Sequence, residues 1–441
     1  MAAPFFVLWD HSQLWGLLLC RGLTALGVPF ATVSCAAVAD GVLSRRAKPP
    51  ALLVPGGFAR RKFAALGPQG VAAIRNYVTD GGTYLGICGG AGLALSHADG
   101  LGLCPWVRRP FGERLDHLVS GHVRLTVDRD SPLVPPLEGP HLAAPVWWPA
   151  GFVPSPDQAA PRDVSVLAAY AGAEADLRLA DIHLGAMSEA VLAACQERFG
   201  LRLTPAFLTG GACVVTGSFG RGRYVLSHAH LETPDSPAAN AWLAHLLGHF
   251  AGNGTTFPTP VPAWEPAKEP ILFADPSLEA ARRNMDAVLA AGLGLRLLLR
   301  RNTWLLGWRP GMPGFSLSNL AVMLAGAGAM PPTAAAREYW RVVGPDFADR
   351  FATFARRMEV FFPAQRLEIT LSLVDRPAGA DPQLAAERRE LFGNGPGGGG
   401  LCGELIDRLD GLLARLLPAV RAEEECLRRP GGIIPPGPPE R

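Results

Sequence analysis

Gly82-Thr-Tyr-Leu-Gly-Ile-Cys-Gly-Gly-Ala-Gly92 runs from a short β-type stretch straight into small residues. A tight strand-to-helix turn needs such neighbours, because a nucleophile held there has a strained backbone and leaves no room for side chains before or after it. The pattern predicts a strand over Thr83–Gly86, an elbow at Cys88 and a helix over Gly90–Ser96. The dipole and free amides at the start of that helix would favour a thiolate.

Working upstream, Val54-Pro-Gly-Gly57 ends a β-type run with two glycines whose amides can approach a ligand closely. In an acyl-transfer site the amides of Gly56, Gly57 and Gly89 would form an oxyanion hole. Further strands are expected at Phe5–Trp9, Pro29–Val33 and Ala51–Val54, with helices at Leu14–Leu26 and Gln69–Asp80. This alternation is what a parallel sheet with crossover helices requires. Downstream, Gly220-Arg-Gly-Arg-Tyr-Val-Leu-Ser-His-Ala-His-Leu-Glu232 brings a strand to a His-x-Glu end. His230 would take the thiol proton and Glu232 would orient the imidazole, completing a Cys-His-Glu triad. Taken singly, each part also has a structural reading: a core cysteine, a turn, a packed histidine.

These segments, with a looser contribution from Pro145-Val-Trp-Trp-Pro-Ala-Gly151, resemble the class I glutamine amidotransferase-like superfamily. Within it they are closest to the N-terminal domain of biotin–protein ligases in its stand-alone bacterial form. The resemblance implies an α/β fold, a flavodoxin-like open parallel sheet, with Cys88 as nucleophile, His230 as base and Glu232 as orienter. Two departures limit it. Glutamine-hydrolysing members carry His-Gln three and four residues after the nucleophile, where this chain has Ala91 and Gly92, and no glycine-rich biotin loop follows in the C-terminal half.

Ligands of open α/β sheets bind beyond the carboxyl ends of the strands. Asp10, His11, Phe58 and Trp147 are therefore pocket candidates, joined by Arg60, Arg61 and Trp148. Asp10 and His11 could instead cap the first helix, the arginines could start a solvated helix, and the tryptophans could be core. His228 is the rival base, but only His230 precedes a carboxylate by two residues.

The chain has 441 residues, 49% hydrophobic and 18% charged, enough for two or three packed domains. A net charge of +2 provides no field for nucleic acid or an anionic membrane. Eight scattered cysteines show neither a disulfide framework nor metal spacing, so no cofactor or metal is expected and a reducing cytoplasm fits. The stretches Leu289–Trp308 and Leu317–Met330 are broken by arginines or too short to span a bilayer. Residues 1–257 are read as the amidotransferase-like domain and 258–270 as a Pro-rich linker. Residues 271–429 are read as a separate, mainly α-helical domain with helices expected at Pro276–Arg301, Leu317–Ala327, Ala334–Val343, Asp346–Phe361 and Leu401–Leu427, and 430–441 as a disordered tail. The functional expectation is a Cys-dependent hydrolase or amidotransferase-like enzyme acting on a small-molecule amide or ester. The alternative is a catalytically weak binding or regulatory module, with the helical half as a protein-partner surface. A third reading, the protease-like chaperone branch, places a His directly after the elbow Cys, where this chain has Gly89.

Overall fold

The computed structural model describes residues 3–44, 48–109, 118–156, 164–200, 208–252, 255–257, 260–308, 314–374, 381–394 and 399–420. The expected tail, 430–441, lies outside the described residues. The first half begins β1 (Phe5–Leu8), α1 (Gln13–Ala25), β2 (Phe30–Val33), α2 (Cys35–Ala39), β3 (Leu52–Val54), α3 (Ala59–Thr79), β4 (Thr83–Ile87) and α4 (Gly89–Leu93). It continues β5 (Val107–Arg108), β6 (Val119–Val127), β7 (Leu142–Trp147), β8 (Phe152–Val153), β9 (Val164–Ala173), β10 (Arg178–Leu179), β11 (Ile182–His183), α5 (Glu189–Phe199), β12 (Ala212–Phe219), β13 (Gly222–Ser227) and α6 (Pro237–Ala251). The second half holds α7 (Pro276–Gly294), a hairpin of β14 (Leu298–Arg300) and β15 (Leu306–Trp308), then α8 (Gly314–Ala329), α9 (Ala334–Leu371), α10 (Pro382–Phe392) and α11 (Gly400–Leu416).

One mixed sheet organises the first half. Its parallel part runs β13-β4-β3-β1-β2, and an antiparallel extension continues from β13 through β12, β9, β6 and β10 to β11. Alternation along the strands feeds two cores. In β1, Phe5 and Val7 face the core shared with α1 and α6, whereas Phe6 and Leu8 face the core shared with α2 and α3. The expected open α/β class is present, with the antiparallel wing added to it.

The helical half differs from its sequence reading in four places, the last being α11, which ends at Leu416 rather than Leu427. The helix expected over Pro276–Arg301 stops at Gly294, the chain reverses through Arg296 at φ 56°, and β14 and β15 follow. Asn302 Oδ1 closes their turn by accepting from the amides of Trp304 and Leu305 at 2.9 and 2.7 Å. Two helices expected at Ala334–Val343 and Asp346–Phe361 are one, α9, which passes through Pro345 and Pro363. Its buried stripe of Trp340, Phe347, Phe351, Phe354 and Met358 is continuous across Pro345, so packing outweighs the lost amide. The helix α10 was not foreseen; Asp381 caps it by accepting from Gln383 and Leu384.

The Pro-rich stretch is not free of the first half. Val261 and Trp264 are buried, and the Val261 amide donates to Asn240 Oδ1 at 3.1 Å. Helix α8 lies on α1, Arg21 pairs with Glu269 at 2.8 Å, and the Thr32 amide at the sheet edge donates to the Pro418 carbonyl at 2.6 Å. A single apolar core runs from Leu17 and Trp242 to Leu320 and Phe354. Cooperative unfolding of the intact chain in one transition is the expected result, and residues 1–257 alone should bind a hydrophobic dye and unfold without a sharp midpoint. Two well-resolved transitions, or a crisp fragment, would mean that the halves are independent units.

Candidate active site

The parallel register sets Ser227 of β13 beside Ile87 of β4, so the residues after both strands emerge at the same sheet edge. There the Cys88 amide donates to the Ser227 carbonyl at 2.7 Å. Cys88 has φ 51° and ψ −108°, a conformation that a non-glycine residue holds only when its surroundings enforce it. The enforcement is visible. The buried Tyr84 hydroxyl donates to the Gly90 carbonyl at 2.7 Å, and a Cβ on Gly86 would sit 2.6 Å from that same oxygen. A Cβ on Gly90 would fall on the Val54 carbonyl, and one on Gly89 on the Gly57 carbonyl. The Pro55-Gly56-Gly57 turn is thereby pressed against the elbow. Helix α4 is shorter than expected, five residues, so its dipole is a small contribution.

His230 and Glu232 lie beyond the end of β13 rather than on it, because the strand stops at Ser227. They still meet: His230 Nδ1 is 2.8 Å from Glu232 Oε1, with both side chains fully buried. The segment is pinned by the His230 amide to the Pro145 carbonyl at 2.9 Å and by Asn240 Nδ2 to the Leu231 and Thr233 carbonyls. Burial opposes a charged imidazole, but the Glu232 carboxylate and the Cys88 sulfur, as its thiolate, outweigh it and raise His230 to about 10. Cys88 acts on the ring as a neighbour, yet Nε2 has no hydrogen bond of ordinary geometry and Glu232 Oε2 is likewise unpartnered. His228 is held well below the usual histidine range by burial, Arg108 and His230, and its ring stacks on Phe152 at 4.2 Å. It is a neutral core residue. Burial also pushes up the thiols of Cys20, Cys35, Cys104, Cys213 and Cys402, whereas Cys88 and Cys195 are half-exposed.

The other candidates divide. Trp147 reaches the site, its indole donating to Thr233 Oγ1 at 3.2 Å, and Trp148 stands edge-on to Trp15. Asp10 does not cap α1; its carboxylate accepts from the Cys35 amide at the start of α2. His11 and Phe58 meet through backbone, the Phe58 amide donating to the His11 carbonyl at 3.2 Å. Arg60 pairs with Asp99 in solvent and Arg61 with Asp407 of α11, so each is engaged with a carboxylate of the chain. Sequence reasoning missed Trp15, whose ring lies 4.5 Å from that of His230, and Trp304 and Phe315, which pack on Trp15 from the helical half. No local motif marks them. It also missed Ser236-His122-Asp176, joined at 2.9 and 3.0 Å in the order of a hydrolase triad. Here Ser236 is buried and Arg301 occupies the Asp176 carboxylate, so the chain of bonds ties β6, α6 and the β14–β15 hairpin together. Among the described residues no cluster has metal-ligand composition and geometry, and no helix is long and apolar enough to cross a membrane.

Residues 42–99 match the family model for the biotin–protein ligase N-terminal domain. That segment carries the Pro55–Gly57 turn and the Cys88 elbow, but not His230 or Glu232. No curated protein matches the chain in sequence. A solved structure assigned as a GMP synthase subunit of Thermoplasma acidophilum is similar at 13% identity and TM-score 0.37, over 57% of this chain and 95% of that one. PurLQS from Thermotoga maritima is similar at 13% identity and TM-score 0.38, over 56% of this chain and 99% of that one. A β-galactosidase from Bacillus circulans is similar at 12% identity and TM-score 0.32, over 56% and 31%. Likenesses this distant carry no substrate.

Two outcomes follow from the geometry. Gly89→Ala must push the Gly57 carbonyl aside, so a loss of roughly 1–3 kcal/mol in urea unfolding is expected; a neutral substitution would show that the two turns are not in forced contact. The raised His230 value means that its ion pair stabilises fully below the ordinary value of 6.5 and that this contribution is lost as pH rises through about 10. Melting temperature should therefore decline between these limits in the wild type, with a flatter profile in Glu232→Gln, where burial alone acts on the imidazole. Parallel profiles would mean that His230 does not carry the charge.

Proposed function

We propose that this protein is a cysteine-dependent hydrolase or amidotransferase-like enzyme acting on an amide or ester of a small molecule, with Cys88 as nucleophile, His230 as base and Glu232 as orienter. The observation that carries the proposal is the fully buried His230–Glu232 pair beside a cysteine held at positive φ. A base oriented by a buried carboxylate and a nucleophile on a strained turn are arranged for acyl transfer. In this reading Cys88 Sγ attacks the carbonyl carbon as the thiolate of a Cys88–His230 ion pair, its proton already held by the His230 imidazolium, and the amides of Gly56, Gly57 and Gly89 face the developing oxyanion. His230 then returns the proton to the leaving group, and water resolves the thioester. Ala91 and Gly92 stand where glutamine-hydrolysing relatives hold their substrate, so glutamine is not the proposed substrate. All described cysteines are free, in keeping with a reducing compartment such as the cytoplasm.

One observation favours a binding or regulatory module instead. A cavity of about 300 Å³ lies in the helical half, lined by Arg282, Met285, Asp286, Leu289 and Trp304, and does not include Cys88. Iodoacetamide titration with peptide mapping separates the readings. Cys88 should be modified ahead of the half-exposed Cys195, and His230→Ala should slow it by about tenfold or more, the equivalent of one pKa unit. Glu232→Gln should act less strongly and add little to His230→Ala, because groups acting as a unit are non-additive. His228→Ala should leave the rate nearly unchanged. Equal rates at Cys88 and Cys195, indifferent to His230, would favour the module.

A further inference from the structure

Two residues of the helical half reach more than three hundred positions back along the chain to the turn between β1 and α1. Asp410 of α11 accepts from the His11 amide through Oδ2, and its backbone carbonyl accepts from Trp9 Nε1, both at 3.2 Å. Asn319 of α8 accepts from the Leu14 amide at 3.2 Å and donates to Gln13 Oε1 at 2.8 Å. Of the four residues held this way, His11 and Gln13 have φ 56° and 53°. Neither is glycine, so both conformations persist only because the surroundings over-determine them.

The turn borders the reacting groups. The His11 carbonyl accepts from the Phe58 amide and lies where a Cβ on Gly57 would fall, and Gly57 in turn abuts Gly89. Trp15, in the first turn of α1, stands 2.8 Å from where a Cβ on Gly56 would be, and its ring lies tilted 4.5 Å from that of His230. A shift of this turn would therefore move the Gly56–Gly57 amides and the ring beside the base together. From below, Lys62 holds the turn through the Asp10 carbonyl at 2.7 Å and through Ser12 Oγ. Burial pushes the Lys62 ammonium down and the Asp410 carboxyl up. Charges buried at that cost are poorly explained by stability alone, since apolar residues of similar volume would usually serve it as well or better.

We infer that Asp410 and Asn319 are positioning residues for the Cys88 site, through which the helical half sets the geometry of the Gly56–Gly57 oxyanion turn. The inference rests on the catalytic reading above. It distinguishes two reactions of the same thiol. Alkylation by iodoacetamide displaces iodide from carbon and develops no oxyanion. Acylation by p-nitrophenyl acetate forms the Sγ–C bond from the Cys88 thiolate through a tetrahedral oxyanion, breaks the C–O bond and releases p-nitrophenolate as the anion, the His230 imidazolium keeping its proton.

Both rates are measured on the intact chain, with the acylated cysteine mapped. Asp410→Ala and Asn319→Leu should each slow Cys88 acylation by about tenfold or more while changing alkylation by no more than about twofold. Asp410→Asn retains an acceptor for the His11 amide and should restore acylation to within about threefold of wild type. If either variant slows both reactions equally, or neither, the positioning role is overturned. Should Asp410→Ala fail to fold, Asn319→Leu carries the same comparison. A wild-type protein that is alkylated but never acylated at Cys88 overturns the catalytic reading itself, and the positioning role with it. A wild type that is acylated, with variants that match it, overturns only the latter.

Discussion

The carbonyls of Val54 and Gly57 come so close to the elbow that no side chain fits at Gly90 or Gly89. Everything else at this sheet edge is arranged around that approach. The parallel pairing of β3, β4 and β13 delivers three chain ends to one line, and each end must then turn within two or three residues. Glycine is needed there because the turns touch backbone to backbone, not merely because a positive φ is required. The cost of holding Cys88 at φ 51° is met by Tyr84, whose hydroxyl fastens the following turn, and by the β13 carbonyl that receives the Cys88 amide.

Electrostatics supply the second constraint. A histidine with no solvent exposure would ordinarily be neutral, as His228 is. His230 lies two residues away, also buried, and has the opposite tendency because the Glu232 carboxylate touches Nδ1 and the Cys88 sulfur, as its thiolate, acts in the same direction. Neighbouring histidines with opposed tendencies show that burial alone does not set the charge of an imidazole; the adjacent carboxylate does.

The residues of the candidate site are legible as a group because short-range patterns mark them: small residues flanking Cys88, two glycines after Pro55, and a carboxylate two positions after His230. The parallel sheet was legible for the same reason, since strand and helix periods alternate over the first ninety-five residues or so. What escaped was set by distance along the chain. The His230–Glu232 contact does not come from strand alternation, because the strand has already ended; it depends on Asn240 and Pro145, which no local rule associates with it. The reading of α9 as two helices failed because a proline's local penalty is outweighed by a buried aromatic stripe that continues past it. Asp10, a candidate for the pocket or for capping the first helix, instead accepts from the Cys35 amide at the start of α2, a pairing 25 residues apart that neither local reading contains.

The helical half is the clearest case of information absent from local pattern. Its helical character is legible, but a helical period names a face and not a partner. Trp304 and Phe315 pack on Trp15, Arg301 reaches Asp176, and Asp410 and Asn319 meet a turn at the opposite end of the chain. Each contact closes a long loop, whose entropy is recovered only when many such contacts form together. That cooperativity explains why the Pro-rich stretch, which reads as a boundary, is instead buried at Val261 and Trp264 and tied to Asn240. Asn240 also holds the segment bearing His230 and Glu232, so the connection to the helical half and the base of the site share one buried side chain.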